Sequence, residues 1–471
     1  MSLPIIYRKW AQRVSASGQR VDWLPALLRF TLLLVLAVAA PGVAALALIA
    51  SSRLRRAASV DLALLTRDIT ADSWWPLALV AMAAMGGLIG HHPFPPDDLA
   101  RDLVAHFVDG DYRHMFWGSP LVPSYSLYRS FDWLAGWAWK LPNGWRALPF
   151  QLLPLATFIV VMAMALSRCL PDKRPDRRLW IAGLLLLTLA MPGVTTRFVQ
   201  GRPEVDFAVW ALSALILPGW LWTLVGLVLA PMYWIAPVYA AGALLLTTNG
   251  KNWRQRWCRK LAWGALSAIS AALWWQISTH GHWLGGLSAL HAALANRVGM
   301  VSEDGSIWAL MSGTGVAVLA LLVLRFRAHL SEALRHHADL DLYLTACIFL
   351  APNMIRYTDI LSPLAVLIVA RAVGRDSHIL SQRMACAGRI LVFWACLFLL
   401  PGAFAGAKAP NPGFLSHVHP GDRILSPFSP NLYRAIYAAV PHGAVLAPAM
   451  EVGMTRKPLQ HLAMKLSTGH W

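Results

Sequence analysis

The residues best suited to chemistry lie in one polar stretch, His91-His92-Pro93-Phe94-Pro95-Pro96-Asp97-Asp98-Leu99-Ala100-Arg101-Asp102, followed by His106, Asp109, Asp111, Tyr112, Arg113 and His114. It comes directly after an apolar run from Trp74 to Gly90. A carboxylate pair at the edge of such a run can serve as general base toward a hydroxyl or amine. Asp97 or Asp98 is equally placed to cap a helix start, satisfying free amide groups and the helix dipole. Leu99, Leu103, Val104 and Phe107 share one helical face while Asp98, Asp102 and His106 share another. That spacing predicts an amphipathic helix lying along a membrane surface.

Two further stretches place a cation where an apolar run begins: Gly201-Arg202-Pro203-Glu204, and Arg356-Tyr357-Thr358-Asp359 ahead of Pro363. Arginine there can neutralise a phosphate group, or it can simply snorkel to lipid headgroups. Elsewhere the signals are weaker. His280, His282 and His291, with Glu303 and Asp304, match no standard metal-ligand spacing and read as solvated loop residues. Tyr125, Tyr128, Trp133, Trp137 and Trp139 could stack on sugars, but anchoring at a membrane interface is the commoner role. His336-His337 lies beside Arg335 and receives no role. Cys169, Cys258, Cys347, Cys386 and Cys396 show no CxxC spacing, so neither a disulfide framework nor a zinc site is expected. Gly-rich phosphate loops, nucleophile elbows and HExxH are missing.

The elements that must position these residues are set by composition. The chain has 471 residues, 57% hydrophobic and 14% charged, with a mean hydropathy of +0.51. That balance requires lipid as the solvent for most of it. An excess of basic over acidic residues, giving a net charge of +18, would suit nucleic acid if clustered on one domain. Here the basic residues recur between apolar runs: Arg168 to Arg178, Lys251 to Lys260, Arg325 to Arg335, and Arg371 to Arg389. That is the pattern of cytoplasmic loops, and no nucleic-acid partner is expected.

Helices need roughly 17 to 25 apolar residues to cross a bilayer, and about eleven such crossings can be threaded through the chain. Expected spans include Pro149 to Leu166, Leu179 to Val194, three in Phe207 to Leu246, Leu261 to Ile277, Ile307 to Leu324, Leu342 to Pro352, Ile360 to Ala370 and Ile390 to Ala407. The fold class is therefore all-α, a polytopic helical bundle. Residues 1–73 form a basic segment whose apolar run, Phe30 to Ala50, is either an extra span or a re-entrant hairpin broken at Pro41-Gly42. Residues 74–407 form the membrane domain, with an outer loop at 91–148 and a short polar loop from Thr195 to Asp206. Residues 408–471 form a small outer tail resting on the membrane part, for acceptor recognition or capping.

An acidic pair in the first outer loop, a following interfacial helix and many later spans resemble the GT-C class of polyprenyl-phosphate-sugar-dependent membrane glycosyltransferases. The resemblance covers the architecture from Trp74 onward, and its motifs amount to a handful of residues. It implies that Asp97 or Asp98 is the catalytic base. It also implies donor-phosphate roles for Arg101, Arg113, Arg202, Arg356 and Tyr357, with Asp102 and Glu204 as further polar site residues. No cofactor is required, a divalent cation is compatible, and no metal ligands are assigned. The partners implied are the lipid-linked donor, membrane lipid and an unidentified acceptor, at the outer face of the bacterial inner membrane, with inversion at the sugar. Other classes fit the same sequence: an envelope-polysaccharide polymerase or ligase, a transporter, or a non-catalytic envelope assembly component. The modest late outer loop disfavours the polymerase, and ionisable residues at span ends rather than midplanes disfavour the transporter.

Overall fold

The protein is described by a computed structural model. It covers residues 74–95, 98–119, 122, 129–170, 177–213, 216–217, 219–229, 232, parts of 262–281 and 363–370, 400–406, 408, 417–426, 431–447 and part of 458–465. The chain divides at Trp75/Pro76, and the following concerns the second unit.

Helix α1 (Trp75–His91) leads into the loop at 91–148, called the outer loop for its expected side, which holds the short helix α2 (Leu99–Asp102) and helix α3 (Arg129–Ala138). Then come α4 (Leu148–Cys169), α5 (Arg177–Leu189), α6 (Pro192–Gln200), α7 (Pro203–Ser213) and α8 (Gly219–Leu229). Helix α9 (Leu400–Ala403) precedes a β–α–β unit: β1 (Arg423–Leu425), α10 (Asn431–Ala439) and β2 (Val445–Ala447).

Among the described residues one helix is long and apolar enough to cross a membrane, Asn143–Cys169, with 27 residues and a mean hydropathy of 2.0. It contains the run expected to cross between Pro149 and Leu166. Leu153, Val160 and Met164 stand exposed on it, a face suited to lipid rather than water. Helix α5 and Val194–Gln200 of α6 pass the same test as a pair bent by 67°. Pro192 opens α6, which accounts for a new helix starting there. The spans expected from Ile307 to Leu324, Leu342 to Pro352 and most of Ile390 to Ala407 lie outside the described residues, as does the N-terminal apolar run.

Two cores organise the unit. The first joins α1 to α4–α8 through Val80, Leu88, Leu155, Met162, Leu185 and Trp210. Trp210 and Trp222 stack at 4.5 Å, each indole N–H donating to the other residue's carbonyl, which pins α7 to α8. The second core joins the outer loop to the C-terminal segment: Phe94, Leu99, Leu103, Tyr112, Met115 and Phe131 pack with Leu432, Ile436, Val440 and Leu446. In α10 the apolar residues recur every three to four positions, so one face can be covered by the loop. Parallel strands need a crossover, which α10 supplies. The register is Arg423↔Val445, Ile424↔Leu446 and Leu425↔Ala447, and Phe116 of the loop bridges to Leu446.

Two expectations are corrected. The amphipathic helix expected from Asp98 to Phe107 is a four-residue helix buried on every side, followed by a 3-10 turn at Ala105–Val108. Arg101 neutralises the acids of α2 internally, so its polar face has no need of water, and α10 covers its apolar side. The loop's amphipathic helix is α3 instead, with Phe131, Asp132 and Ala135 inward and Trp133 and Trp137 more than 60% exposed. The stretch expected as a short polar loop, Thr195 to Asp206, is helical except at Gly201-Arg202. The described part of the tail shares its core with the loop at 91–148.

Candidate active site

The site is built where α2, the start of α7 and α10 converge. Gly201 ends α6 at φ +61°, a left-handed cap that side chains adopt at a cost. A Cβ there would stand 2.5 Å from Leu99 Cδ2 and 3.2 Å from Gln151 Cγ, so glycine lets this turn lie directly against α2. Gln151 of α4 locks the same corner, its amide donating to the carbonyls of Pro93 (3.0 Å) and Val199 (2.6 Å). Arg202, next in sequence, is 6% exposed.

Asp98 is the meeting point. Its Oδ1 accepts from Arg101 Nη1 and from the Tyr433 hydroxyl, both at 3.0 Å, and its Oδ2 lies 3.4 Å from Arg202 Nη2. The residue precedes α2 with helical backbone angles, and its side chain makes no capping hydrogen bond. Its carboxylate is thus committed to the cluster rather than to the helix start. The side chain keeps 15% exposure, a narrow access to solvent.

Behind Asp98 the cluster is closed. Arg101 donates through Nε (2.9 Å) and Nη2 (2.6 Å) to Asp102 Oδ1, and its guanidinium lies 4.9 Å from the Tyr112 ring centroid. The Tyr112 hydroxyl stands 3.3 Å from Asp102 Oδ1 and 3.1 Å from Asp132 Oδ1, bridging two buried carboxyls. Asp102 Oδ2 is buried with no hydrogen-bond partner among the described residues. Burial drives the Asp102 carboxyl well above the ordinary carboxylate range; Arg101 opposes this, while Asp132 and Asp98 add to it. Burial also works against the charge on Arg101, but Asp102 and Asp98 overcome it and hold the guanidinium well above its usual range. Burial thus favours the protonated form of Asp102 while Arg101 stays charged.

Of the residues singled out from sequence, Asp98, Arg101, Asp102 and Arg202 come together. Arg113 is exposed and pairs with Asp111 at 2.7 Å on the loop surface. Glu204 lies in α7, with its side chain outside the description; Asp97, Arg356 and Tyr357 are outside the described residues. His280 stands in a turn at φ 51°, and His282, His291, Glu303 and Asp304 are not described. Among the described residues no group of three His, Cys, Asp or Glu side chains could hold a metal ion.

Sequence reasoning missed Asp132 and Tyr433, and named Tyr112 without giving it a role. Asp132 had a signal, being a charge on the apolar side of α3. Tyr433 had none, since nothing local announces a partner 335 positions away.

Beside the cluster is a shallow cleft of about 10 Å³, room for about one water molecule, lined by His92, Pro93, Pro95, Asn143 and Tyr437, among others. Tyr437 donates to Asn143 Oδ1 and receives from Arg146 Nη1 at 3.1 Å, while Arg146 lies 3.6 Å over Trp139. Tyr437 follows Tyr433 by one helical turn on α10, so one helix face serves both cluster and cleft. Trp133 and Trp137 point away to the surroundings, with Lys140 over the Trp137 ring.

Fold and site together define a largely helical protein with, among its described residues, one helix long and apolar enough to cross a membrane and a buried carboxylate–guanidinium cluster. No family model matches the chain, and no curated protein matches it. Among solved structures it is similar to the apo oligosaccharyltransferase of Archaeoglobus fulgidus, with 13% identity over 81% of this chain and a TM-score of 0.49. It is also similar to the archaeal oligosaccharyltransferase AglB from Archaeoglobus fulgidus in complex with an inhibitory peptide and a dolichol-phosphate, with 12% identity over 80% and a TM-score of 0.48. The match spans 65% of the length of each of those chains.

Proposed function

We propose that this protein is a membrane glycosyltransferase that moves a sugar from a polyprenyl-phosphate carrier to an envelope acceptor at the outer face of the cytoplasmic membrane, with inversion. The observation that supports it is Arg202 beside Asp98 Oδ2, at the narrow solvent access of an otherwise buried cluster. In this reading Asp98 accepts the proton of the acceptor hydroxyl or amine. The acceptor atom then forms a bond to the anomeric carbon as the bond from that carbon to the phosphate oxygen breaks, and the electron pair leaves with the phosphate.

Charge bookkeeping favours this arrangement. The carboxylate loses its negative charge as the leaving phosphate gains one, and a guanidinium next to both serves each in turn without moving far. Arg101, clamped by Asp98 and Asp102, orients the base. Arg356 and Tyr357 remain proposed donor-phosphate ligands, with Asp97 as a second candidate base. A divalent cation is compatible with the scheme and unnecessary to it.

A second reading has its own observation. Asp98 ties α2, α7 and α10 together, as a structural latch in a non-catalytic envelope component would. Incubating the purified protein with a panel of polyprenyl-phosphate-linked hexoses and an envelope extract separates the two. Release of free polyprenyl phosphate that disappears in Asp98→Asn supports transfer; no release with any donor favours the latch.

A further inference from the structure

Resting on the transferase reading, we infer that Tyr433 is a positioning residue for the transfer step, which makes the C-terminal segment a working part of the site. Among the described residues Asp98 meets donors from three elements: Arg101 of α2, Arg202 at the start of α7 and Tyr433 of α10. Arg101 and Tyr433 both take Oδ1, and two donors fill the two lone pairs of that oxygen. Proton acceptance therefore falls to Oδ2, the edge beside Arg202. An aspartate gripped on one oxygen from two directions cannot turn about its side-chain bonds, and a fixed base avoids the entropy of aligning it at each turnover.

The grip depends on how α10 is seated. Tyr433 is 7% exposed, and Leu432 and Ile436, both fully buried, anchor its helix in the outer-loop core. The strands on either side hold both ends of α10, with Leu446 hydrogen-bonded to the backbone of Met115 and Trp117. The phenol is thus delivered by a rigid unit. Next to it on the same helix Tyr437 lines the cleft, so a displaced α10 would disturb base and cleft together.

The test is Tyr433→Phe, which keeps the ring and its seat and removes only the hydroxyl, measured with Ile436→Ala and Asp98→Asn alongside. Release of polyprenyl phosphate from the hexose donor that wild type accepts is followed as kcat, KM and the pH–rate profile. Expected for Tyr433→Phe are a kcat lower by about tenfold, a KM within twofold of wild type, and an acidic limb displaced upward by about one pH unit. The displacement has that sign because losing a donor makes the carboxylate easier to protonate. Ile436→Ala loosens the same helix without touching the hydroxyl, and is expected to lower thermal stability with the limb in place. If Tyr433→Phe behaves like Ile436→Ala, or matches wild type in both kcat and limb while Asp98→Asn is inactive, Tyr433 has no positioning role. Full activity of Asp98→Asn would instead remove the base assignment itself, a different result from the failure of Tyr433.

Discussion

The Tyr433 hydroxyl donates to Asp98 Oδ1 at 3.0 Å and thereby joins α10 to the first helix of the outer loop. Around that bond Leu432 and Ile436 enter the same core as Leu99 and Leu103. Loop and C-terminal segment are one folding unit, so damage to either should be read out in the other. Ile436→Ala is expected to cost about 2–5 kcal/mol, the range for truncating a fully buried aliphatic side chain. It should also open the loop around residues 105–119 to an added protease. A loop as resistant as wild type in that variant would mean that the two segments fold independently.

Replacing Asp98 by Asn preserves shape and an acceptor for Tyr433 and Arg101 while removing the capacity to take a proton. On the transferase reading, kcat falls roughly 10²–10⁴-fold, with the protein still inserted and folded. Carrier release from the accepted donor is the measurement, and a decrease of less than threefold would assign the base elsewhere, Asp97 being the next candidate.

Arg202→Ala is expected to weaken binding of polyprenyl phosphate itself by tenfold or more, and Arg202→Lys to recover only part of it, because a point charge lacks the forked donors of guanidinium. Fluorescence-detected binding of the carrier lipid in detergent measures both. Affinity equal to wild type in Arg202→Ala would reduce Arg202 to a partner of Asp98.

The Gly201 turn should tolerate no side chain. Gly201→Ala meets Leu99 Cδ2 at 2.5 Å and must hold φ at +61°, so a loss of about 1–3 kcal/mol is expected. The same displacement moves Arg202 from Asp98, so activity should fall together with the melting temperature. A variant that melts like wild type and turns over normally would show that the turn has slack.

The inner acids give stability a pH dependence of defined sign. Asp102 has a folded-state pKa above its unfolded value, so its contribution is complete below the ordinary carboxylate range and is lost as pH rises through the raised folded value. His106, lowered chiefly by its burial, contributes with the opposite slope in a window ending near its ordinary value of 6.5. Asp102→Asn removes only the first contribution. The difference in melting temperature between wild type and Asp102→Asn should therefore shift against wild type as pH rises from 4, whereas a constant difference would mean that Asp102 is ionised throughout. Asp102→Ala, which strips Arg101 of its closest carboxylate, should be worse at every pH, by about 3–5 kcal/mol.

Sequence alone pointed to lipid as the solvent and to one neighbourhood of charged residues. Apolar runs separated by basic loops are the composition expected of a chain in lipid, and that expectation does not depend on the detailed packing. The same local logic singled out Asp98, Arg101, Asp102 and Arg202, which the fold brings together, since charge at the edge of an apolar run is visible one residue at a time. It erred on the form of α2, because a polar helical face looks like a water-facing one until its charges are seen to neutralise each other. What only tertiary structure decided is the company Asp98 keeps. Tyr433 reaches it through a parallel β–α–β crossover, and Arg202 through a glycine turn pressed onto Leu99. Contacts of that kind arise from elements far apart in the chain meeting in one core, and no local pattern of residue types encodes which distant element will arrive.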